Sequence, residues 1–245
     1  MSQNRVAVVI PSRYASTRFP GKPLAMLCGK PMVRHVYEKA AASSADLTVV
    51  ATDDRRIYDA VTVFGGRAVM TAESHPSGTD RIAEAVSKLG EKIDIVINVQ
   101  GDEPLIPTSV IDELIAVMKH NPSIEMATVA VPGDRMTMTE NNVKVVFGAN
   151  RFALYFCRSM IPFHRGGGVE APVYLHWGIY AYRRSTLERF VSLPPGKLEQ
   201  CEKLEQLRAL ENGIKIYVML SQLESIGIDT PDDLVRAEKK LREGK

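Results

Sequence analysis

Short apolar runs alternate with amphipathic stretches over the first half of the chain. Residues 6–10 (VAVVI) and 47–52 (LTVVAT) are apolar and short enough to be buried strands. Residues 32–41 space their apolar side chains three and four positions apart, as a helix does. The alternation continues to about residue 120. It predicts parallel strands that are joined by right-handed helical crossovers.

The second half of the chain has a different pattern. Longer β-like runs cover residues 125–132, 142–159 and 172–184, and the turn signals between them predict an antiparallel extension of the sheet. Residues 197–213 have the pattern of one helix, and a closing helix begins at Thr230-Pro231. The predicted fold is therefore a mixed, mainly parallel α/β sheet that is flanked by helices.

Composition and charge narrow the class of protein. The 245 residues are 45% hydrophobic and 24% charged with a net charge of +2, which is ordinary for a globular chain and argues against a nucleic-acid partner. No apolar run is long enough to cross a membrane, and too few apolar residues precede Pro11 to form a signal peptide. The cysteines are too far apart to suggest a disulfide framework or a zinc site, so we expect a soluble, cytoplasmic protein. They are Cys28, Cys157 and Cys201.

Positive charge is concentrated after the first strand. Arg13, Arg18, Lys22 and Lys30 lie in a stretch that is broken by glycine and proline. It contains neither the P-loop motif nor the G-x-G-x-x-G fingerprint of dinucleotide-dependent oxidoreductases. Small residues between the first three cations would let backbone N–H groups approach an anion. The pattern suits a ligand with several phosphates, such as a nucleoside triphosphate, and the alternative is a solvated loop.

Acidic residues follow other strands of the predicted sheet. Asp53-Asp54 ends one strand, Asp102 follows the apolar run at 93–99, and Asp229 precedes the closing helix. Because ligands bind at the carboxyl ends of parallel strands, we expect the basic loop, the Asp53-Asp54 pair and Asp102 to face one crevice. Asp102 and Asp229 are candidate Mg²⁺ ligands beside the phosphates. The alternative is that each caps a turn or a helix.

Seven motifs resemble those of the 3-deoxy-manno-octulosonate (Kdo) cytidylyltransferases, a family of the sugar nucleotidyltransferase superfamily. The resemblance runs from about Val6 to Ala237, in the order and spacing of the family. The first motif indicates only the superfamily, and the later motifs point to the family. The motifs are IPSRYASTRFPGKPL, HPSGTDRIAEA, NVQGDEPLIP, YFCRSMIPF, HWGIYAY, EKLEQLRALENG and GIDTPDDL.

This resemblance implies a fold, an activity and an assembly. It implies the Rossmann-like nucleotide-diphospho-sugar transferase fold and the transfer of CMP from CTP to the anomeric hydroxyl of Kdo with release of pyrophosphate, a step toward the lipopolysaccharide inner core. It also implies dependence on Mg²⁺ and a cytoplasmic homodimer. We expect one domain over residues 1–245, with a nucleotide-binding half (1–130), a sugar-acid and dimerisation portion (131–220), and a metal-ligand loop with the closing helix (221–245).

The resemblance also implies a role for particular residues. Catalysis would depend on Lys22, Arg13, Asp102 and Asp229, and the two aspartates would be the metal ligands. The nucleotide would contact Ser12, Arg13, Lys22, Ser77, Gly78 and Gln100, of which Ser77 and Gly78 would read cytosine. The sugar acid would contact Arg18, Arg158, His176, Tyr180, Glu205 and Gln206.

Considered without the resemblance, the sugar-acid contacts have ordinary alternatives. Arg158 could form a surface salt bridge, and His176 could be a core histidine. Glu205 and Gln206 could lie on the solvated face of an amphipathic helix.

Two other functions stay open. Ser12, Cys157 and the loop at 164–168 depart from the usual residues of the family, so the sugar acid could instead be an 8-amino analogue of Kdo or a nonulosonic acid. A nucleotide-binding protein without catalytic activity is the alternative from another class.

Overall fold

The computed structural model describes residues 4–15, 19–167, 171–223 and 227–243. The chain divides into two compact units. The first contains Met1–Ile115 and Ser225–Lys245, and the second contains Ala116–Glu224. The second unit is thus an insertion between two segments of the first. Among the described residues, no helix is both long enough and apolar enough to span a membrane.

The first part of the chain forms the strands and helices that the apolar pattern predicts. In chain order they are β1 (Val6–Ser12), β2 (Met26–Leu27), β3 (Lys30–Pro31), α1 (Met32–Ala41), β4 (Leu47–Thr52), α2 (Arg55–Val63), β5 (Ala68–Met70), α3 (Gly78–Lys88), β6 (Ile95–Asn98) and α4 (Thr108–His120). The strands of the first unit lie in the order β6-β1-β4-β5, and each neighbouring pair is parallel. The carboxyl ends of these strands therefore share one edge.

Side-chain caps set where the helices of this unit begin. Asp54 Oδ1 accepts the N–H of Arg56 at the start of α2 (2.9 Å). Ser77 Oγ accepts the N–H groups of Thr79 (3.1 Å) and Asp80 (3.2 Å) at the start of α3. These bonds satisfy N–H groups that have no partner within the helix.

The second half of the chain forms the predicted antiparallel strands. Its elements are β7 (Met126–Gly133), β8 (Lys144–Phe147), β9 (Ala153–Cys157), β10 (Val173–Arg183), α5 (Arg184–Ser192), α6 (Lys197–Glu202), α7 (Gln206–Glu211), β11 (Ile216–Leu220) and α8 (Pro231–Glu243). β10 is antiparallel to β7 with a register shift between Trp177 and Tyr180, and β8 is antiparallel to β9. β11 is parallel to β7. The predicted fold class, a mixed and mainly parallel α/β protein, is confirmed.

The prediction of one helix over residues 197–213 is wrong. The chain breaks between α6 and α7 at Lys203, which has a positive φ of 54°. Two carbonyl groups at this break accept from Arg158, that of Glu202 at 2.7 Å and that of Lys203 at 3.5 Å. A tertiary contact therefore overrides the local helical pattern. The pattern also did not predict α5, which follows β10 directly.

The end of the chain returns to the first unit and completes its core. Leu27 and Met32 pack with Ile228 and with Ala237 of α8, and all four side chains are fully buried. The first unit therefore depends on residues from both sides of the insertion.

Candidate active site

Lys22 lies between the two predicted metal ligands. Its Nζ is 2.7 Å from Asp102 Oδ2 and 3.3 Å from Asp229 Oδ1. The lysine side chain is only 14% exposed, whereas those of Asp102 and Asp229 are 34% and 48% exposed. The structure thus brings together three residues that are up to 207 positions apart in the chain, and their carboxylates converge on one positive charge.

Among the described residues, the bonds that cap α8 do not involve the Asp229 carboxylate. Asp233 Oδ2 instead accepts from the N–H groups of Asp229 (3.1 Å) and Thr230 (2.9 Å), and Thr230 Oγ1 accepts the N–H of Asp233 (3.3 Å). Burial opposes ionisation of Asp233, but hydrogen bonds from Arg236, Thr230 and the backbone outweigh it and lower the pKa to about 2. Because other groups cap the helix, the Asp229 carboxylate remains with Lys22.

Ser12 and Gly101 meet at the carboxyl end of β1. A Cβ atom on Gly101 would lie 2.8 Å from both Pro11 O and Ser12 Oγ, so only glycine allows this approach. Ser12 is 2% exposed, and its hydroxyl has no hydrogen-bond partner among the described residues. A buried hydroxyl without a partner costs free energy, and a ligand oxygen could satisfy it. This agrees with the predicted role of Ser12 without testing it.

Ser77 and Gly78 lie near the same strand end. A Cβ on Gly78 would contact Pro11 at 3.5 Å, so the start of α3 passes against the end of β1. The hydroxyl of Ser77 is already engaged, because it accepts the cap bonds and donates to Asp80 Oδ2 at 2.6 Å. If this segment recognises cytosine as predicted, it would therefore do so through backbone groups.

The remaining predicted nucleotide contacts and the other cations of the basic stretch differ in their hydrogen-bond and ion-pair partners. Gln100 Nε2 donates to Asn98 Oδ1 (3.3 Å), which fixes its amide. Arg13 is exposed and makes no ion pair with a described residue. Lys30, the last cation of the basic stretch, pairs with Glu38 (2.7 Å) and is not part of the cluster. Arg18 lies outside the described residues.

Arginines pair with both carboxylates of Asp53-Asp54, and the orientation of this pair toward the crevice of the basic loop stays a prediction. Asp54 pairs with Arg56 at 2.6 Å. Asp53 Oδ2 accepts from Arg81 Nη2 at 2.5 Å, and Arg81 Nη1 donates to Thr71 Oγ1, also at 2.5 Å. Arg81 is fully buried and ties α3 to the ends of β4 and β5. The sequence pattern missed this residue, since no local signal marks a pairing over 28 positions.

His176, a predicted sugar-acid contact in the second unit, is neutral. Burial lowers its pKa to about 3. Thr128 Oγ1 lies 2.9 Å from His176 Nε2 and 2.8 Å from the carbonyl oxygen of Ile179. Because the hydroxyl has one proton and a carbonyl can only accept, Thr128 donates to Ile179 and accepts from His176 Nε2–H. His176 Nδ1 is therefore a hydrogen-bond acceptor, so the ring cannot supply the positive charge that a carboxylate needs.

The other predicted sugar-acid contacts with described side chains near this site are Tyr180, Glu205 and Gln206. The ring of Tyr180 is 5.4 Å from that of His176. Burial raises the pKa of Tyr180 well above its usual value, and the charge of Glu205 adds to the effect. Gln206 is 5% exposed, and its Nε2 has no hydrogen-bond partner among the described residues. Gln206 is thus a buried donor rather than part of a solvated helix face.

Arg158 is held by main-chain carbonyl groups instead of a salt bridge. Nε donates to Glu202 O (2.7 Å) and Nη1 to Glu140 O (3.1 Å). No carboxylate of the described residues pairs with its guanidinium. The net positive charge of Arg158 therefore remains available to an anion.

The residues present fit a magnesium ion that the protein coordinates only in part. Mg²⁺ prefers one or two carboxylates together with phosphate oxygens and water. Asp102 and Asp229 supply two carboxylates, and both lie within 3.3 Å of the same cationic nitrogen. In the described part of the chain there is no cluster of three or more His, Cys, Asp or Glu side chains suited to a metal. Phosphate oxygens would have to complete the coordination.

The fold and this cluster define a class of protein. A parallel sheet whose first strand leads to a lysine between two carboxylates is suited to binding a nucleotide together with a divalent metal. A family model described as cytidylyltransferase matches residues 7–216. The chain therefore belongs to the cytidylyltransferase family, and the resemblance stated from the motifs is confirmed.

Similar proteins carry names within this family. A 3-deoxy-manno-octulosonate cytidylyltransferase of Thermodesulfovibrio yellowstonii is 54% identical, with 95% of this chain and 96% of that protein covered. An 8-amino-3,8-dideoxy-manno-octulosonate cytidylyltransferase of Shewanella pealeana is 51% identical, with 96% and 98% covered. A solved structure of a CMP:2-keto-3-deoxy-manno-octonic acid synthetase with CTP is 40% identical and has a TM-score of 0.94, with 99% and 100% covered.

Proposed function

We propose that this protein transfers CMP from CTP to the anomeric hydroxyl of Kdo and releases pyrophosphate, for synthesis of the lipopolysaccharide inner core. The observation that carries the proposal is the position of Lys22 between Asp102 and Asp229. The names of the similar proteins support the choice of CTP and of an octulosonate acceptor.

The first unit would bind the triphosphate. The attacking hydroxyl and the leaving pyrophosphate must lie in line at the α-phosphorus, so positioning and charge neutralisation decide the rate. Lys22 and Arg13 would offset the charge that develops on pyrophosphate, and the Ser12 hydroxyl would donate to a phosphate oxygen. Gly101 would keep the approach to the end of β1 open, because a Cβ there would clash with Pro11 O.

Asp102 and Asp229 would hold Mg²⁺, which neutralises phosphate charge and makes a bound hydroxyl easier to deprotonate. This role explains why the carboxylate of Asp229 is spared from capping α8. It also requires Lys22 to exchange its carboxylate partners for phosphate oxygens.

The second unit would bind the sugar acid. Arg158 would pair with the sugar carboxylate, because its charge is not matched by a described carboxylate. His176 Nδ1 would accept from a sugar hydroxyl, and Gln206 Nε2 would donate to a sugar oxygen. Arg158 would then gain a carboxylate partner, and His176 Nδ1 and Gln206 Nε2 would each gain a hydrogen bond that no described residue provides.

The activation of an 8-amino analogue is the second candidate function. It is favoured by a relative of that name whose identity to this chain, 51%, is close to the 54% of a relative named for Kdo. The proposed homodimer and cytoplasmic location rest on the family resemblance alone, and sedimentation of the purified protein would test the former.

Pyrophosphate release by the purified protein tests the proposed function. CTP, UTP, ATP and GTP would each be combined with Kdo, its 8-amino analogue and a nonulosonic acid, with and without Mg²⁺. We expect release with CTP, Kdo and Mg²⁺. Release only with the 8-amino analogue would show that this analogue is the acceptor, and the proposed mechanism would stand. If CTP binds but no acceptor supports release, the non-catalytic alternative is correct.

A further inference from the structure

Lys144 is a buried cation that has no role in the mechanism so far. It is 1% exposed and lies on β8 opposite Cys157 of β9. Burial lowers its pKa. Its Nζ donates to the carbonyl oxygens of Thr139 (2.8 Å) and Asn142 (2.6 Å), and to that of Arg158. Because only the protonated form has three N–H donors, these acceptors indicate an ammonium group.

Lys144 and Glu202 hold the main chain of Arg158 from its two sides. The carbonyl of Arg158 accepts from the Lys144 ammonium. The N–H of Arg158 donates to Glu202 Oε2 at 3.0 Å, and the Sγ of the preceding Cys157 lies 3.3 Å from Glu202 Oε1. The peptide groups on both sides of the Arg158 Cα atom are therefore each bound to a charged group, and such hydrogen bonds are stronger than neutral ones.

Lys144 also orders the turn that contacts the Arg158 side chain. Residues 139–142 form a closed turn in which the N–H of Asn142 donates to Thr139 O (3.2 Å), and Asn142 Oδ1 accepts the N–H of Thr139 (3.0 Å). The ammonium binds the carbonyl groups at both ends of this turn. The carbonyl of Glu140, inside the turn, accepts from Arg158 Nη1 at 3.1 Å.

We propose that Lys144 is a positioning residue that orients the Arg158 guanidinium toward the carboxylate of the sugar acid. It acts on the main chain of Arg158 directly and on its side chain through the 139–142 turn. This inference rests on the proposed function, in which Arg158 binds the sugar acid. A cation suits the task, because Lys144 donates to the Arg158 carbonyl and adds no further carboxylate that would compete with the ligand.

The test compares KM values for the sugar acid that the wild-type protein uses, with CTP saturating, and then for CTP. The variants are Lys144→Gln, Arg158→Gln and the double variant, with the exposed Lys215→Gln as control. For Lys144→Gln we expect the KM of the sugar acid to rise about tenfold or more, as small displacements of a binding group do. The KM of CTP and the Lys215→Gln variant should be unchanged.

The double variant separates positioning from a general structural role. If Lys144 acts through Arg158, its substitution should have no further effect on the KM of the sugar acid in the Arg158→Gln background. A sugar analogue with a carboxamide in place of the carboxylate should likewise be insensitive to Lys144→Gln. An undiminished effect in the Arg158→Gln background, or equal increases in both KM values, would overturn the proposal.

A second variant covers the case in which Lys144→Gln does not fold. Asn142→Ala changes an exposed side chain and loosens the same turn, so it should raise the KM of the sugar acid and leave that of CTP unchanged. If Arg158→Gln leaves the KM of the sugar acid unchanged while the wild type is active, the positioning proposal fails and the proposed function stands. Absence of wild-type activity with every sugar acid would instead contradict the proposed function.

Discussion

The predicted nucleotide site and the predicted sugar-acid cluster satisfy their polar groups in different ways. In the first unit, opposite charges face each other, because Lys22 contacts the carboxylates of Asp102 and Asp229. In the second unit, Arg158 bonds to carbonyl groups and His176 is neutral. Under the proposed function, the groups that bind a triphosphate and a metal would exchange charged partners, whereas the groups that bind the sugar acid are oriented in advance.

Substitutions in the charged cluster around Lys22 should lower the activity more than any other change considered. Lys22→Ala and Asp102→Asn should each lower kcat/KM by about 10²–10³, by analogy with the loss of one donor to a developing charge. The reason is that both groups would neutralise the triphosphate and its metal. Steady-state pyrophosphate release measures the change, and circular dichroism checks the fold.

Lys30→Ala is the matched control for this prediction. Lys30 belongs to the same basic stretch but pairs with Glu38 at the surface, and an exposed pair contributes about 0–1 kcal/mol. Its activity should equal that of the wild type. Near-normal activity of both Lys22→Ala and Asp102→Asn would show that the charged cluster is not the nucleotide site.

The pH dependence of stability tests the neutral character of His176. An unfolded histidine takes up a proton near pH 6.5, whereas His176 does so only near pH 3 when folded. Between these values the unfolded state binds more protons, so stability present above pH 6.5 is lost as the pH falls, by at most about 1.4 kcal/mol per pH unit. Denaturant unfolding from pH 7 to pH 4 measures this loss.

The control for this prediction is His176→Gln, which cannot titrate. Its stability should fall less steeply over the same range than that of the wild type. Equal slopes for the two proteins would mean that His176 titrates normally, and burial would then not hold the ring neutral below pH 6.5.

The smallest expected effect is on stability, at the cap of α8. It distinguishes the capping residues from the Asp229 carboxylate beside them. Thr230→Ala removes a cap hydroxyl and should cost about 1 kcal/mol of stability with most of the activity retained. Asp229→Asn should instead lower the activity and leave the stability nearly unchanged. The reason is that the Asp229 carboxylate faces Lys22, whereas its contribution to the cap is a backbone N–H. Thermal unfolding and pyrophosphate release, measured on both variants, would reveal whether either residue serves both roles.

The sequence predicted those parts of the molecule that depend on local pattern. Alternating apolar runs and helical spacing located β1, β4 and β6 with their helices, and the position of acids after strands marked Asp102. The position of Asp229 before the closing helix also marked it as a candidate metal ligand, but its contact with Lys22 was not predicted. Its geometry, and the capping of α8 by Thr230 and Asp233, required the structure.

Long-range pairing accounts for the features that the sequence did not predict. The pairing of Arg81 with Asp53 and the break at Lys203 both depend on contacts between residues that are distant in the chain. The tautomer of His176 depends on Thr128, which is 48 positions away. Periodicity carries no information on such pairs, because it describes only neighbours within one helix or strand.

The insertion of the second unit has a consequence for synthesis on the ribosome. Ile228, Ala237 and Asp229 emerge only after all of Ala116–Glu224 has been made, yet the first two complete a core with Leu27 and Met32. The predicted nucleotide site in the earliest part of the chain therefore cannot form until the last part has been made. A nascent chain that stops within the inserted unit would contain Lys22 and Asp102 but would lack both the second carboxylate and the helix that packs beneath it.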